Sequence, residues 1–318
     1  MHPLLFILLA IVALILVSGY CVFIIGCRGR GSIQWLDEKQ ARKSPWGKYY
    51  QVILDSDRWL KMHMAEDLYI TSYDGLRLHG LWISAPNARG TVLMAHGYRS
   101  TMLIDCHLGF ELFHRLGFNI LVPEQRTHGQ SQGRFITFGV KESHDMQKWI
   151  AYHNAHIGNI PLVLFGISMG ASTMLYLADR LLPDNVKGII ADCGFTSPAE
   201  ILSSVYTNVI HLPATPSVVA AGLFTKLFAG FSLWERDTRK ILPNSRLPIL
   251  LIHGDEDSFV PCKMSRQAYA ACKSPKQLLI VEGAEHGLSF PTDGYRYTAA
   301  VIDFIKQYVI SIDKENMQ

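Results

Sequence analysis

Between residues 68 and 281 the sequence repeats one pattern: a short apolar run, a glycine-punctuated turn, then a stretch of helical spacing. The runs are Leu68–Ser72, Leu76–Ile83, Thr91–Ala95, Asn119–Val122, Leu162–Phe165, Lys187–Ala191, Pro248–Ile252 and Gln277–Val281. From Thr91 onward they are rich in Val, Ile and Leu and lack polar alternation, as strands covered on both faces should be. Helical stretches at Lys141–His153, Ser172–Leu181, Lys263–Cys272 and Tyr295–Val309 separate the later runs. Strand alternating with helix predicts an α/β fold with a mostly parallel sheet and helices on both faces. Tyr73-Asp74-Gly75 between the first two runs is a hairpin signal.

One connection is far longer than a crossover needs. More than fifty residues separate Asp192 from Pro248, with apolar segments on the way. Long connections in compact domains are often lids, so residues 193–246 are expected to form a small helical lid insertion. An extra pair of core helices away from the site is the alternative.

Ahead of this pattern stands Leu4–Ile25, twenty-two residues without a charge, sixteen of them Leu, Ile, Val or Phe. As a helix it spans roughly 33 Å, enough to cross a bilayer's hydrocarbon core. Those sixteen side chains favour insertion by roughly 5–10 kcal/mol. A signal peptide would have a basic start and an apolar stretch of about 7–15 residues. Cleavage near Val17-Ser18-Gly19, or lipoprotein-type processing at Cys27, is the alternative, but His2 is the only candidate side chain for a basic start and the apolar run is too long. Arg28, Arg30, Arg42 and Lys43 follow it and no Lys or Arg precedes it, which predicts a single-pass anchor with the rest of the chain on the cytoplasmic side. The expected order is an anchor over 1–27, a juxtamembrane segment over 28–66 with a short helix near Arg58–Met64, a catalytic domain over 67–310 and a tail over 311–318.

The chemistry is carried by Gly166-Ile167-Ser168-Met169-Gly170, lying between an apolar run and a helical stretch. At ordinary glycine and serine frequencies this spacing arises by chance in roughly one chain in ten of this length. The strand before and the helix after are what make it informative. A sharp strand-to-helix turn presents Ser168 outward and crowds its neighbours, which requires glycine on both sides. The hydroxyl needs a base to take its proton. Later in the chain, loops after two apolar runs bring His253-Gly254-Asp255-Glu256-Asp257-Ser258-Phe259-Val260-Pro261, then Glu285-His286-Gly287. Serine, acid, histidine is the chain order of a hydrolase triad on a parallel sheet. His286 is the expected base, and the acid lies among Asp255, Glu256 and Asp257, with Asp192 as an alternative.

These motifs, together with Met94-Ala95-His96-Gly97-Tyr98, Pro123 to Ser131 and Asp192 to Ser197, resemble α/β-hydrolases of the serine-aminopeptidase-like and prolyl-oligopeptidase-like branch, including its membrane-anchored members. The resemblance covers about residues 67–310. It implies that Asp257, opening the D-x-x-V-P stretch, is the acid. It also implies that the backbone N–H groups of Tyr98 and Met169 hold the oxyanion. Glu124 stands where the family usually has Asp, read here as a structural change near Arg126.

The activity expected is hydrolysis of a carboxylic ester or thioester through an acyl-enzyme. A serine peptidase or aminopeptidase with the same triad is the alternative, and a non-catalytic binding protein of this fold a weaker one. Other chemistries find little support. A net charge of +3 with no basic stripe argues against nucleic acid. The glycines near Gly129 are not followed by Gly-Lys-Ser/Thr, and no G-x-G-x-x-G follows a strand, so no nucleotide cofactor is expected. His153 and His156, three apart, could share a metal but lack a carboxylate partner, so no metal is expected. The six cysteines form no C-x-x-C pair and are expected as free thiols.

Overall fold

The strands pair in the order β1-β2-β4-β3-β5-β6-β7-β8 in a computed structural model that describes residues 3–29, 50–211 and 213–310. They are β1 (Glu66–Thr71), β2 (Arg77–Ile83), β3 (Gly90–Ala95), β4 (Phe118–Pro123), β5 (Leu162–Ile167), β6 (Val186–Asp192), β7 (Ile249–Gly254) and β8 (Lys276–Val281). Pairing is antiparallel for β1–β2 and β2–β4 and parallel from β4 onward. Each of the eight apolar runs thus became a strand, with its ends moved by one or two residues.

Both faces of the sheet are covered, and alternate side chains of each central strand go to opposite cores. On β3, Leu93 and Ala95 pack with Trp149 and Met174, while Val92 and Met94 pack with Phe110, Phe113 and Phe304. The first core is closed by α5 (Val140–His156), α6 (Met169–Leu175) and α10 (Lys263–Ala271). The second is closed by α2 (Tyr50–Met62), α3 (Met102–Asp105), α4 (His107–Arg115) and α12 (Gly294–Tyr308). Helix α2 begins eight residues before the short helix expected at Arg58.

After β3 the chain goes to β4 on one side, and β5 lies on the other. That reversal opens a crevice at the carboxyl ends of β3 and β5, where ligands bind in open α/β sheets. The connection from β6 to β7 is a helical insertion: α7 (Pro198–Ile210), α8 (Thr215–Phe224) continued by a π turn (Thr225–Ala229), and α9 (Thr238–Ile241). Ser197 caps α7 by accepting from the Glu200 N–H at 3.2 Å, with Pro198 in the first turn.

Helix α1 (Pro3–Cys27) has no charged residue, and its first half touches little: Leu4 and Leu14 are 69% and 70% exposed. Its second half lies along α8. Gly19 makes the approach possible, since a Cβ there would sit 2.3 Å from the Cβ of Ala220. Phe23 is buried between Phe135, Phe224 and Phe228. Of the expected segments, much of the juxtamembrane stretch (30–49) and the tail (311–318) lie outside the described residues.

Candidate active site

The turn from β5 into α6 puts Ser168 at φ 57°, ψ −118°, a conformation that L residues rarely adopt. Backbone crowding explains the flanking glycines. A Cβ on Gly166 would lie 2.4 Å from the carbonyl carbon of Gly170, and one on Gly170 would lie 2.0 Å from the carbonyl oxygen of Ala95. Ser168 is held in place by its N–H, which donates to the Asp192 carbonyl at 2.8 Å.

His286, on the loop after β8, brings Nε2 to 2.9 Å from the Ser168 hydroxyl. Its Nδ1 lies 2.7 Å from Asp257 Oδ2, so this nitrogen carries the proton and Nε2 accepts from serine. Asp257, on the loop after β7, has no exposed side-chain surface. Its other oxygen accepts from the backbone N–H groups of Phe259 (3.0 Å) and Val260 (2.7 Å). Burial pushes the Asp257 carboxyl up, but bonds from His253 and His286 outweigh it and hold it at about 2. The group is therefore an anion at neutral pH.

The other acids lie elsewhere. Asp255 is exposed and accepts from the Gly283 N–H at 2.8 Å. Glu256 is exposed too. Asp192 is buried and accepts from the Ser289 hydroxyl at 3.1 Å; burial raises its carboxyl to about 6. Of the four carboxylates weighed in the sequence, only Asp257 is bonded to His286 among the described residues.

After β3 the chain enters His96-Gly97-Tyr98. His96 Nε2 accepts from the Gln125 N–H at 3.0 Å, and the Gly97 N–H donates to the Asp105 carboxylate. A Cβ on Gly97 would lie 3.2 Å from the Ser168 Cβ, so the loop passes directly over Ser168. Met169 is the first residue of α6, where an amide has no partner within its own helix. The Tyr98 hydroxyl donates to the Gly26 carbonyl of α1 at 2.8 Å, and its ring stacks on Phe138 at 5.5 Å.

Two residues around this site were not singled out in the sequence. Asp105, buried on α3, fixes Gly97. Its only sequence signal is a carboxylate inside an otherwise apolar MLID stretch. His253 lends Asp257 a second imidazole at 3.1 Å while its Nδ1 accepts from Ser265 at 2.6 Å. Near Arg126, Glu124 bonds His79 Nδ1 at 2.8 Å and the Gln130 N–H at 2.6 Å. Arg126 pairs with Asp145 and Asp74. The extra methylene lets Glu124 span from β4 to the β2 histidine and the following turn.

His153 and His156 do not converge. His153 is buried with Nε2 2.9 Å from the Thr91 hydroxyl, whereas His156 bonds its own helix at the Tyr152 carbonyl. All six cysteines are free thiols.

A cavity of about 390 Å³ opens at Ser168. It runs under α7 and along α1, with mainly apolar walls, within the size range of small-molecule sites.

A family model described as the alpha/beta hydrolase fold matches residues 90–229. The chain is 29% identical to the Bacillus subtilis protein YqkD over 237 residues, 74% of this chain and 77% of that one. It is 26% identical to YfhR of Escherichia coli over 301 residues, 93% of each. Among solved structures, the Pyrococcus furiosus esterase Pf2001 superposes with a TM-score of 0.64 at 22% identity, over 79% of this chain and 96% of that one. The fold is that of the α/β-hydrolases, with a helical insertion over the carboxyl end of the sheet. Within it, the Ser–His–Asp contacts are those of serine-hydrolase chemistry.

Proposed function

We propose that this chain is a membrane-tethered hydrolase that cleaves a carboxylic ester or thioester, with Ser168 as nucleophile, His286 as base and acid, and Asp257 as its orienting partner. The observation that carries the reading is the continuous bonding of the three side chains at the mouth of an apolar cavity. Ser168 Oγ attacks the acyl carbon and gives its proton to His286 Nε2. The tetrahedral oxyanion is held by the N–H groups of Tyr98 and Met169. Collapse breaks the bond to the leaving alcohol or thiol, which takes the proton from His286. Water then gives His286 a proton and attacks the acyl-enzyme; on collapse the bond to Ser168 Oγ breaks, His286 returns the proton to that oxygen, and the carboxylic acid leaves. Asp257 stays ionised throughout and stabilises the imidazolium.

The tether is α1, the one helix among the described residues long and apolar enough to cross a membrane. A signal sequence passes the same test, yet Phe23 and Cys27 of this helix are buried in the same core as the insertion. That favours a retained helix. Basic residues on its C-terminal side favour a catalytic domain facing the cytoplasm. Val219, Leu223, Leu227 and Phe228 of the insertion are half or more exposed beside it, so residues 193–246 are read as a lid that rests on the bilayer surface.

Purified full-length enzyme assayed against p-nitrophenyl esters of graded chain length, matching thioesters and aminoacyl amides tests the reading. Ester or thioester turnover lost in Ser168→Ala supports it. Turnover confined to the amides would make the protein a peptidase instead.

A further inference from the structure

Five residues of α1 line the cavity: Ser18, Cys21, Val22, Ile25 and Gly26. Their spacing of three and four places them on one stripe of the helix. From Gly26 to Ser18 the stripe covers eight residue steps, roughly 12 Å at about 1.5 Å per residue. The facing wall is α7, through Leu202, Val205 and Tyr206.

The near end of this wall is fixed to the chemistry. The Gly26 carbonyl accepts from Tyr98, and the Ile25 carbonyl accepts from the Arg99 guanidinium, which caps the last turn of α1 against the loop over Ser168. The far end is fixed to the insertion. Ser18 Oγ lies 2.8 Å from Ser217 Oγ on α8 and 3.3 Å from the Tyr206 hydroxyl on α7. Close packing of Gly19 on Ala220 holds the same level. A helix attached only as a tether needs neither set of contacts.

Such a slot suits one kind of acyl group. It is apolar, runs along roughly 12 Å of α1, and begins at Ser168. A folded peptide would leave backbone N–H and C=O groups unpaired against these walls. An unbranched hydrocarbon chain leaves none. We propose that α1 is one wall of the acyl-binding site, and that the substrate is a long-chain fatty acyl ester or thioester whose chain lies along the Gly26-to-Ser18 stripe. This rests on the hydrolase reading above and adds to it the substrate class and the second role of the helix.

Full-length enzyme in lipid nanodiscs can be labelled with an alkyl fluorophosphonate whose chain, reaching roughly 12 Å, ends in a diazirine. Irradiation should then crosslink the chain end to residues 18–22 of α1 or 202–206 of α7. A Ser168 adduct whose crosslinks fall only outside these helices overturns the acyl-wall proposal and leaves the nucleophile standing. Failure to form any Ser168 adduct overturns the hydrolase reading and this proposal with it. The functional arm uses Val22→Trp and, on the opposite wall, Val205→Trp. In each, kcat/KM for a long-chain ester relative to a butyrate ester should fall on the order of tenfold or more, because a bulky ring occupies the slot. A ratio unchanged in both variants contradicts the proposal.

Discussion

At the carboxyl ends of β5, β7 and β8, Ser168, His286 and Asp257 meet through directed hydrogen bonds of 2.9 and 2.7 Å. Across the cavity from them, α1, α7 and α8 meet through glycine, alanine and phenylalanine, with little polar contact beyond the Ser18 cluster. The first region has one workable arrangement, since a rotated imidazole or a moved carboxylate loses its partner outright. The second is held by non-directional packing that sets the width and length of a slot. On the proposed reading, chemistry and substrate choice are carried by different residues, and substitutions should separate them.

The sharpest separation comes from Ser168→Ala. It should lower kcat by about 10⁴–10⁶ while the thermal unfolding of the protein stays close to that of the parent. Asp257→Asn comes next, at about 10⁴ in kcat, because the amide favours the wrong imidazole tautomer. Asp255→Asn should cost little, as its carboxylate only meets the Gly283 amide. If Asp192→Asn proved the more damaging change, the acid would be misassigned and the two regions would not divide as described.

Smaller effects probe the apolar region. Gly19→Val should drive α1 away from α8 and destabilise the protein by about 1–3 kcal/mol, read as a lower midpoint in detergent. Val17→Leu, at a position 60% exposed, should leave the midpoint alone. Equal midpoints for the two variants would remove the packing that distinguishes this helix from a free tether.

Asp257 also links the polar region to pH. Its folded value of about 2 lies below the ordinary 3.8, so the charged form is favoured by folding. The stability it adds, about 2 kcal/mol, is present above pH 3.8 and is lost as pH falls through 2. The unfolding free energy of Asp257→Asn should therefore trail the parent at pH 6 and draw level with it near pH 2. A difference that stays constant across that range would contradict the ionised, doubly bonded carboxylate.

How much of this could be read from the sequence follows from the same division. The central strands announced themselves because a strand buried on both faces must be largely apolar, as β3, β4, β5 and β7 are, whereas the first two runs stood out by flanking a turn. Ser168, the loop of Asp257 and the loop of His286 are short motifs whose geometry is local to one turn each. The partners of Glu124, His79 and Gln130, could not be named in advance because they are not predictable from its neighbours. Asp105 was passed over for the same reason: its bond to Gly97 exists only once α3 folds back over the loop. The slot was the least legible feature. Val22 and Val205 are 183 positions apart in the numbering, and nothing in an uncharged helix distinguishes a face that lines a cavity from one that meets lipid.

The central claim is that Ser168 forms a covalent acyl-enzyme. Rapid quenching of the full-length enzyme with a slowly hydrolysed ester, followed by peptide mass analysis, tests it most directly. The account predicts one acyl group on the peptide containing Ser168, accumulating before steady state and absent in Ser168→Ala. Acylation of another residue, or turnover without any acylated peptide in a reaction quenched during the burst, would contradict it.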